Sequence, residues 1–211
     1  MSEKVAFAIR LGLIVVCCLG LPQSLSAAGR VFPVQEFEEV RERWVGLETT
    51  VEGRRQAYDD TLIKLKNSTV TFKPVVKPPK LERRGANLRL TGTLEKVDSK
   101  FVFQVRTVEE VPNDLEQYDA REREIKRTDP AQWYALAVWV EGRGKFYDDS
   151  VLLEKAQECK RKGFDIERRQ LPEGDHRARM QLAVRSNDLG IPDTVRQELV
   201  HEAYVLRRKA I

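Results

Sequence analysis

In several short segments between Trp44 and Val108 the apolar residues recur at every second position, and from Pro130 onward at every third or fourth. A period of two alternates side chains between the two faces of a strand; a period near 3.6 gathers them on one stripe of a helix. The chain is therefore expected to be α+β, with a strand unit followed by a helical one. In the strand unit, Val45, Leu47, Thr49 and Val51 alternate with Gly46, Glu48, Thr50 and Glu52, and Gly53 ends the run. Further strands are expected over Leu62 to Leu65, Val70 to Phe72, Asn87 to Leu94 with a bend at Gly92, and Lys100 to Val108, where Phe101, Phe103 and Val105 face inward. Residues 74–86 hold three prolines and four basic residues without either period, which predicts a loop. About five short strands in so short a stretch favour a small antiparallel barrel over 44–112, because closure removes exposed edges. The short amphipathic segment within 29–43, with Phe37 and Val40 at helical spacing, precedes it.

Residues 113–129 are highly charged, with only Leu115, Tyr118 and Ile125 apolar at sparse spacing, and are expected to form a partly helical connector. Asp129 followed by Pro130 marks a helix start. Trp133, Leu136, Ala137 and Val140 give this helix its stripe, and Gly142-Arg143-Gly144 is expected to stop it. Asp148-Asp149-Ser150 opens a second helix that carries Cys159 and ends near Gly163. Leu136-Ala137-Val138 and Gly144 recur as Leu182-Ala183-Val184 and Gly190 at an offset of 46. Residues 130–211 thus read as two stacked αα-hairpins, each needing its neighbour to bury its stripe.

The strand segments WVGLETTVEGR (Trp44 to Arg54), LIKLKNSTVTF (Leu62 to Phe72), LRLTGTL (Leu88 to Leu94) and FVFQVRTVEEV (Phe101 to Val111) together resemble a bacterial OB-fold barrel of the tRNA-anticodon-binding-like type. The stretches Leu136 to Gly144 and Leu171 to Ala183 resemble degenerate tetratricopeptide-type repeats of exported bacterial proteins. The OB resemblance implies a ligand face on strands 2 and 3, for oligosaccharide or nucleic acid. Alternation places Lys64, Lys66, Asn87, Arg89 and Gln104 outward on the central strands, so Lys64, Lys66, Arg89 and Gln104 are the candidate ligand face. Single-stranded nucleic acid needs exposed aromatics for stacking. Phe72, Phe101 and Phe103 fall on the inward face and only Trp44 and Tyr58 remain, which argues against a nucleic-acid partner.

Catalytic signatures are missing from the sequence. His176 and His201 stand in no ligand spacing, Cys159 has no adjacent base, and no nucleophile elbow, P-loop or dinucleotide glycine pattern occurs. Asp59-Asp60 and Asp148-Asp149 sit where turns and helix starts want aspartate. The expectation is a non-enzyme with no catalytic residue, no metal and no cofactor.

Lys4 and Arg10, the apolar run Leu11 to Leu21, and the small residues Ser24 to Ala28 have the layout of a secretory signal peptide over 1–28, cleaved after Ala28. An apolar run of about 11 residues falls short of the roughly 20 that span a bilayer, an uncleaved anchor being the alternative. Removing 28 of the 211 residues leaves 183 and takes the formal net charge from +4 to +3, with Cys159 as the one cysteine left. A 33% charged chain with so small an excess has a solvated surface, not a polyanion-binding face. The expected protein is an exported, extracytoplasmic (periplasmic or secreted) scaffold of the cell envelope with no transmembrane span after signal removal. Its expected partner is a protein or another envelope component, with an OB-fold binder of oligosaccharide or single-stranded nucleic acid as the alternative. The oligomeric state is left open.

Overall fold

A computed structural model describes residues 30–210 of the chain; the signal peptide expected over 1–28 lies outside the described residues. The first strand, β1 (Val31–Pro33), runs into a short helix α1 (Val34–Val40) and a 3-10 turn (Arg41–Trp44). Five strands follow: β2 (Glu48–Tyr58), β3 (Ile63–Leu65), β4 (Thr71–Pro74), β5 (Asn87–Val97) and β6 (Lys100–Val111). Their order is β2-β3-β4-β6-β5, and pairing of β5 back onto β2 closes a five-stranded, OB-like barrel. The barrel is not wholly antiparallel, since β4 lies parallel to β6 and β1 parallel to β2.

Alternation produces the core it predicts along most of its length. Thr49, Val51, Leu88, Leu90, Phe72, Phe103 and Val105 are buried, and Phe101 is partly so. The first two positions of the opening run differ, because Val45 and Leu47 are 39% and 49% exposed. Gly46 with φ +79° turns the chain there, so the pleat, and with it the alternation, begins only at Glu48. Asn87, expected to face outward, is buried and bonded to Asp114. Phe32, Val34 and Phe37 of the N-terminal segment are buried in the same core, and Trp44 packs edge-on to Phe32 at 4.8 Å.

Helix α1 also serves the weakly paired seam between β3 and β4, where Ile63 and Phe72 are the one matched pair. Glu38 accepts hydrogen bonds from Ser68 Oγ at 2.5 Å, Thr69 N at 2.9 Å and Thr69 Oγ1 at 2.7 Å, and pairs with Arg41. Burial works to raise its pKa, but those donors and Arg41 outweigh it and hold the carboxyl below its ordinary value. A depressed carboxylate stabilises the fold fully above its unfolded value and loses that contribution as pH falls through the folded one. Glu38→Gln is therefore expected to cost about 1–3 kcal/mol at pH 7. In urea titrations at pH 7 and pH 3, the gap between variant and wild type should narrow at the lower pH; an unchanged gap would contradict the assignment.

The helical part comprises α2 (Asp114–Glu124), α3 (Pro130–Tyr147), α4 (Ser150–Gln170), α5 (His176–Asp188) and α6 (Asp193–Lys209). Asn113 and Glu116 form a reciprocal capping box at the start of α2, so the charged connector holds a full helix. Asp129 caps α3 with Pro130 in its first turn. That helix continues past Gly142-Arg143-Gly144 to Tyr147, and α4 continues past Gly163 to Gln170. Both glycines are there for close packing. A Cβ on Gly144 would meet the Leu153 side chain at 2.9 Å, and one on Gly163 would meet the Tyr134 ring at 2.8 Å.

Helices α3 and α4 share one core cluster with Tyr118 of α2, while Phe164 of α4 joins α5 and α6 in another. Several positions 46 apart share an environment, although Gly144 lies inside α3 while Gly190 follows the end of α5 at φ +65°. Asp129 and Asp175 are both caps, Leu136-Ala137 and Leu182-Ala183 are buried, and Val138 and Val184 are 72% and 68% exposed.

Candidate functional site at the barrel and helix junction

The four residues of the expected ligand face are mostly engaged inside the fold. Lys64 on β3 is exposed. Lys66, just past β3, donates from Nζ to the Tyr147 carbonyl at 2.8 Å. Arg89 on β5 pairs with Glu52 at 3.1 Å and Glu109 at 3.9 Å, and Gln104 on β6 donates to Glu95 at 2.8 Å. Charge that is already matched by a neighbouring carboxylate offers little to a ligand.

A denser polar cluster forms where β2 meets the starts of α2 and α4 and the end of α3. Asp114 is 1% exposed and receives Arg54 Nε at 2.5 Å, Asn87 Nδ2 at 3.2 Å and Arg143 Nη1 at 3.6 Å. Arg54 also reaches Asp149 at 2.7 Å, lies 4.4 Å from the centre of the Tyr147 ring, and donates its backbone N–H to the Tyr147 hydroxyl at 3.3 Å. Tyr147 belongs to α3 yet is fully buried in the barrel core. The barrel and the first hairpin are thus joined by one aromatic plug and one ion network. Burial opposes the charge on Arg54, but hydrogen bonds to Asp114 and Asp149 prevail and raise its pKa above the arginine norm. Desolvation likewise pushes the Asp149 carboxyl up, and the bonds from Arg54 and from Leu152 and Val151 N–H bring it below its ordinary value.

Beside this network lies a cleft of about 290 Å³ lined by Arg54, Arg55, Asn87, Asn113, Asp114 and Asp149, with the Gly85-Ala86 backbone at its edge. Adjacent residues of a regular strand point to opposite faces, yet Arg54 and Arg55 line the same cleft. The register between β2 and β3 slips between Arg55 and Ala57, and such a bulge re-aims side chains.

The other candidate chemistry is engaged structurally. Asp59 accepts from Thr61 N and Leu62 N in its own turn, and Asp149 caps α4 as well as binding Arg54. Cys159 is fully buried against Tyr118 Oη at 3.5 Å, and burial pushes its thiol up, away from the nucleophilic thiolate. His176 opens α5 behind its cap Asp175, and His201 is exposed on α6. Among the described residues no three His, Cys, Asp or Glu side chains gather as a metal site, and no helix is long and apolar enough to cross a membrane.

Sequence reasoning missed Arg54, Arg55, Asp114, Arg143 and Tyr147. One local signal was available: Asn113 followed by Glu116 is a capping-box spacing that places Asp114 in a first turn. No family model matches the chain, and no curated protein matches it. Among solved structures, the chain is similar to the telomere capping protein Ten1 from Saccharomyces pombe, at 18% identity and a TM-score of 0.32, over 44% of this chain and 93% of that one.

Proposed function

We propose that the chain is an exported, non-enzymatic binding protein that serves as a scaffold component of the cell envelope. The observation that carries this reading is the junction network, which fixes the barrel to the first hairpin and so holds two binding-type surfaces in one relation. Its carboxylates act as caps and ion-pair partners, and its cysteine is sealed, which supports a structural use of the groups most able to do chemistry. The matched caps and burial at an offset of 46 support reading the hairpins as a duplicated, tetratricopeptide-like unit. Val31, three residues past Ala28, already pairs with Thr50, so cleavage after Ala28 would leave the barrel whole.

Export has a direct test. Expressed with its own N-terminus in a bacterium, the protein is expected in the osmotic-shock fraction with an intact mass that begins at Gly29. A full-length mass in the cytosolic fraction would overturn it. The one-body arrangement predicts a single calorimetric transition for barrel and helices, and two separate transitions would overturn that part.

A second reading, an OB-type binder of oligosaccharide or single-stranded nucleic acid, is favoured by the strand order of the closed barrel. Fold alone does not transfer an activity, so this reading needs its own measurement. Fluorescence anisotropy with a labelled single-stranded oligonucleotide, and a glycan array, would compare wild type with Lys64, Lys66 and Arg89 changed to Ser. Binding that falls tenfold in these variants would favour the second reading over the scaffold.

A further inference from the structure

We propose that the junction cleft is a binding site for one small oxyanion group, a carboxylate or a phosphate, contacted by Arg55. This goes beyond the scaffold reading and stands or falls separately from it, because it concerns a ligand inside one cleft.

The argument is one of charge and commitment. Arg54 and Arg143 are occupied by Asp114 and Asp149, two cations against two anions. Both helix starts at the cleft are already capped, α2 by Asn113 and α4 by Asp149. What remains is Arg55, a partly buried residue that makes no ion pair among the described residues and that lines both this cleft and the adjoining one bordered by Tyr58, Asp59 and Asp60. A partly buried, unmatched positive charge is where an anion gains most, since the partly desolvated surroundings screen it less than bulk water does. The guanidinium fork matches the two oxygens of a carboxylate or phosphate.

Access and size agree with this. Gly85, at φ +82°, has open space where a side chain would stand, so the Gly85-Ala86 backbone borders the cleft without closing it. At roughly 30 Å³ per water-sized atom, 290 Å³ admits about ten non-hydrogen atoms. That suits one terminal amino-acid residue, one phosphate group or the carboxylate end of a sugar acid.

The test is an NMR titration of the mature chain at fixed ionic strength with three separate probes: N-acetylglycine, glucuronate and inorganic phosphate. The expected result is saturable shifts of the Gly85, Ala86 and Asn113 amides with at least one probe, and the probe that binds tightest identifies the source of the oxyanion. Arg55→Gln should weaken that binding at least tenfold with an unchanged melting temperature, while Lys80→Gln, outside the cleft, should change it less than twofold. Arg55→Lys, which keeps the charge and loses the fork, should fall between. Absence of shifts with all three probes at 50 mM (roughly the weakest binding an ion-paired fragment should show) would overturn the proposal. Equal binding by Arg55→Gln would overturn it too. A large loss of stability in that variant would do the same, because it would reveal a guanidinium already committed within the fold.

Discussion

Replacing Asp114 by alanine is expected to destabilise the protein by about 3–5 kcal/mol, among the largest effects of any single polar substitution in the chain. The carboxylate is 1% exposed and answers two guanidinium groups and one amide. Its removal leaves Arg143, itself 8% exposed, without its anion, and leaves Arg54 only Asp149. The penalty is mostly that of stranding buried charge and not the net worth of the ion pair, so a double-mutant cycle separates the two. Arg54→Ala added to Asp114→Ala should cost clearly less than the sum of the singles, with a coupling of about 0.5–3 kcal/mol. Calorimetry gives a second readout: for a chain of this size the melting temperature should fall on the order of 10 °C, and the barrel and helical transitions should separate as the network that couples them is lost. Additive losses, or a single unshifted transition, would show that the ion network does not couple the two parts.

Much of the architecture was legible because burial in a strand or helix is written at short range. Thr49 and Val51, Leu88 and Leu90, and Phe103 and Val105 alternate as a half-buried strand must, and Asp129-Pro130 announces a helix whatever surrounds it. Errors arose where one residue type serves two purposes. Gly144 and Gly163 look like helix stops, since glycine is the usual C-terminal residue, yet each sits mid-helix because a neighbouring side chain approaches too closely for a Cβ. The junction was illegible for a different reason. Arg54 and Asp114 are 60 positions apart, and Arg54 and Tyr147 are 93 apart, so each residue taken alone resembles a solvated surface charge or an ordinary helix tyrosine. Only three-dimensional proximity makes them a network, and a single sequence has no local pattern that encodes it. The same holds for Lys66, which alternation marks as free for a ligand but which the Tyr147 carbonyl occupies.

Gly92 offers the sharpest contrast between a glycine that bends a chain and one that makes room. On β5 it faces Val105 where the register with β6 slips between Thr91 and Gly92. A Cβ added there would lie 2.8 Å from the Gln104 carbonyl carbon, 2.9 Å from the Phe103 ring, and nearer still to the Gln104 carbonyl oxygen. Phe103 is fully buried against Phe37 and Phe72, and β6 is tied to β5 on one side and to β4 on the other, so neither the ring nor the backbone can step aside cheaply. Gly92→Ala is therefore expected to cost at least about 3 kcal/mol, with the loss concentrated in the barrel. Gly142→Ala is the matched control, for an added Cβ on α3 meets nothing within 4 Å. There the better helix propensity of alanine should stabilise the chain by about 0.5–1 kcal/mol. Urea unfolding of both variants reads the difference directly. The same chemical change should move the midpoint in opposite directions, and a Gly92→Ala midpoint equal to wild type would mean that β5 and β6 are not held as closely as the register requires.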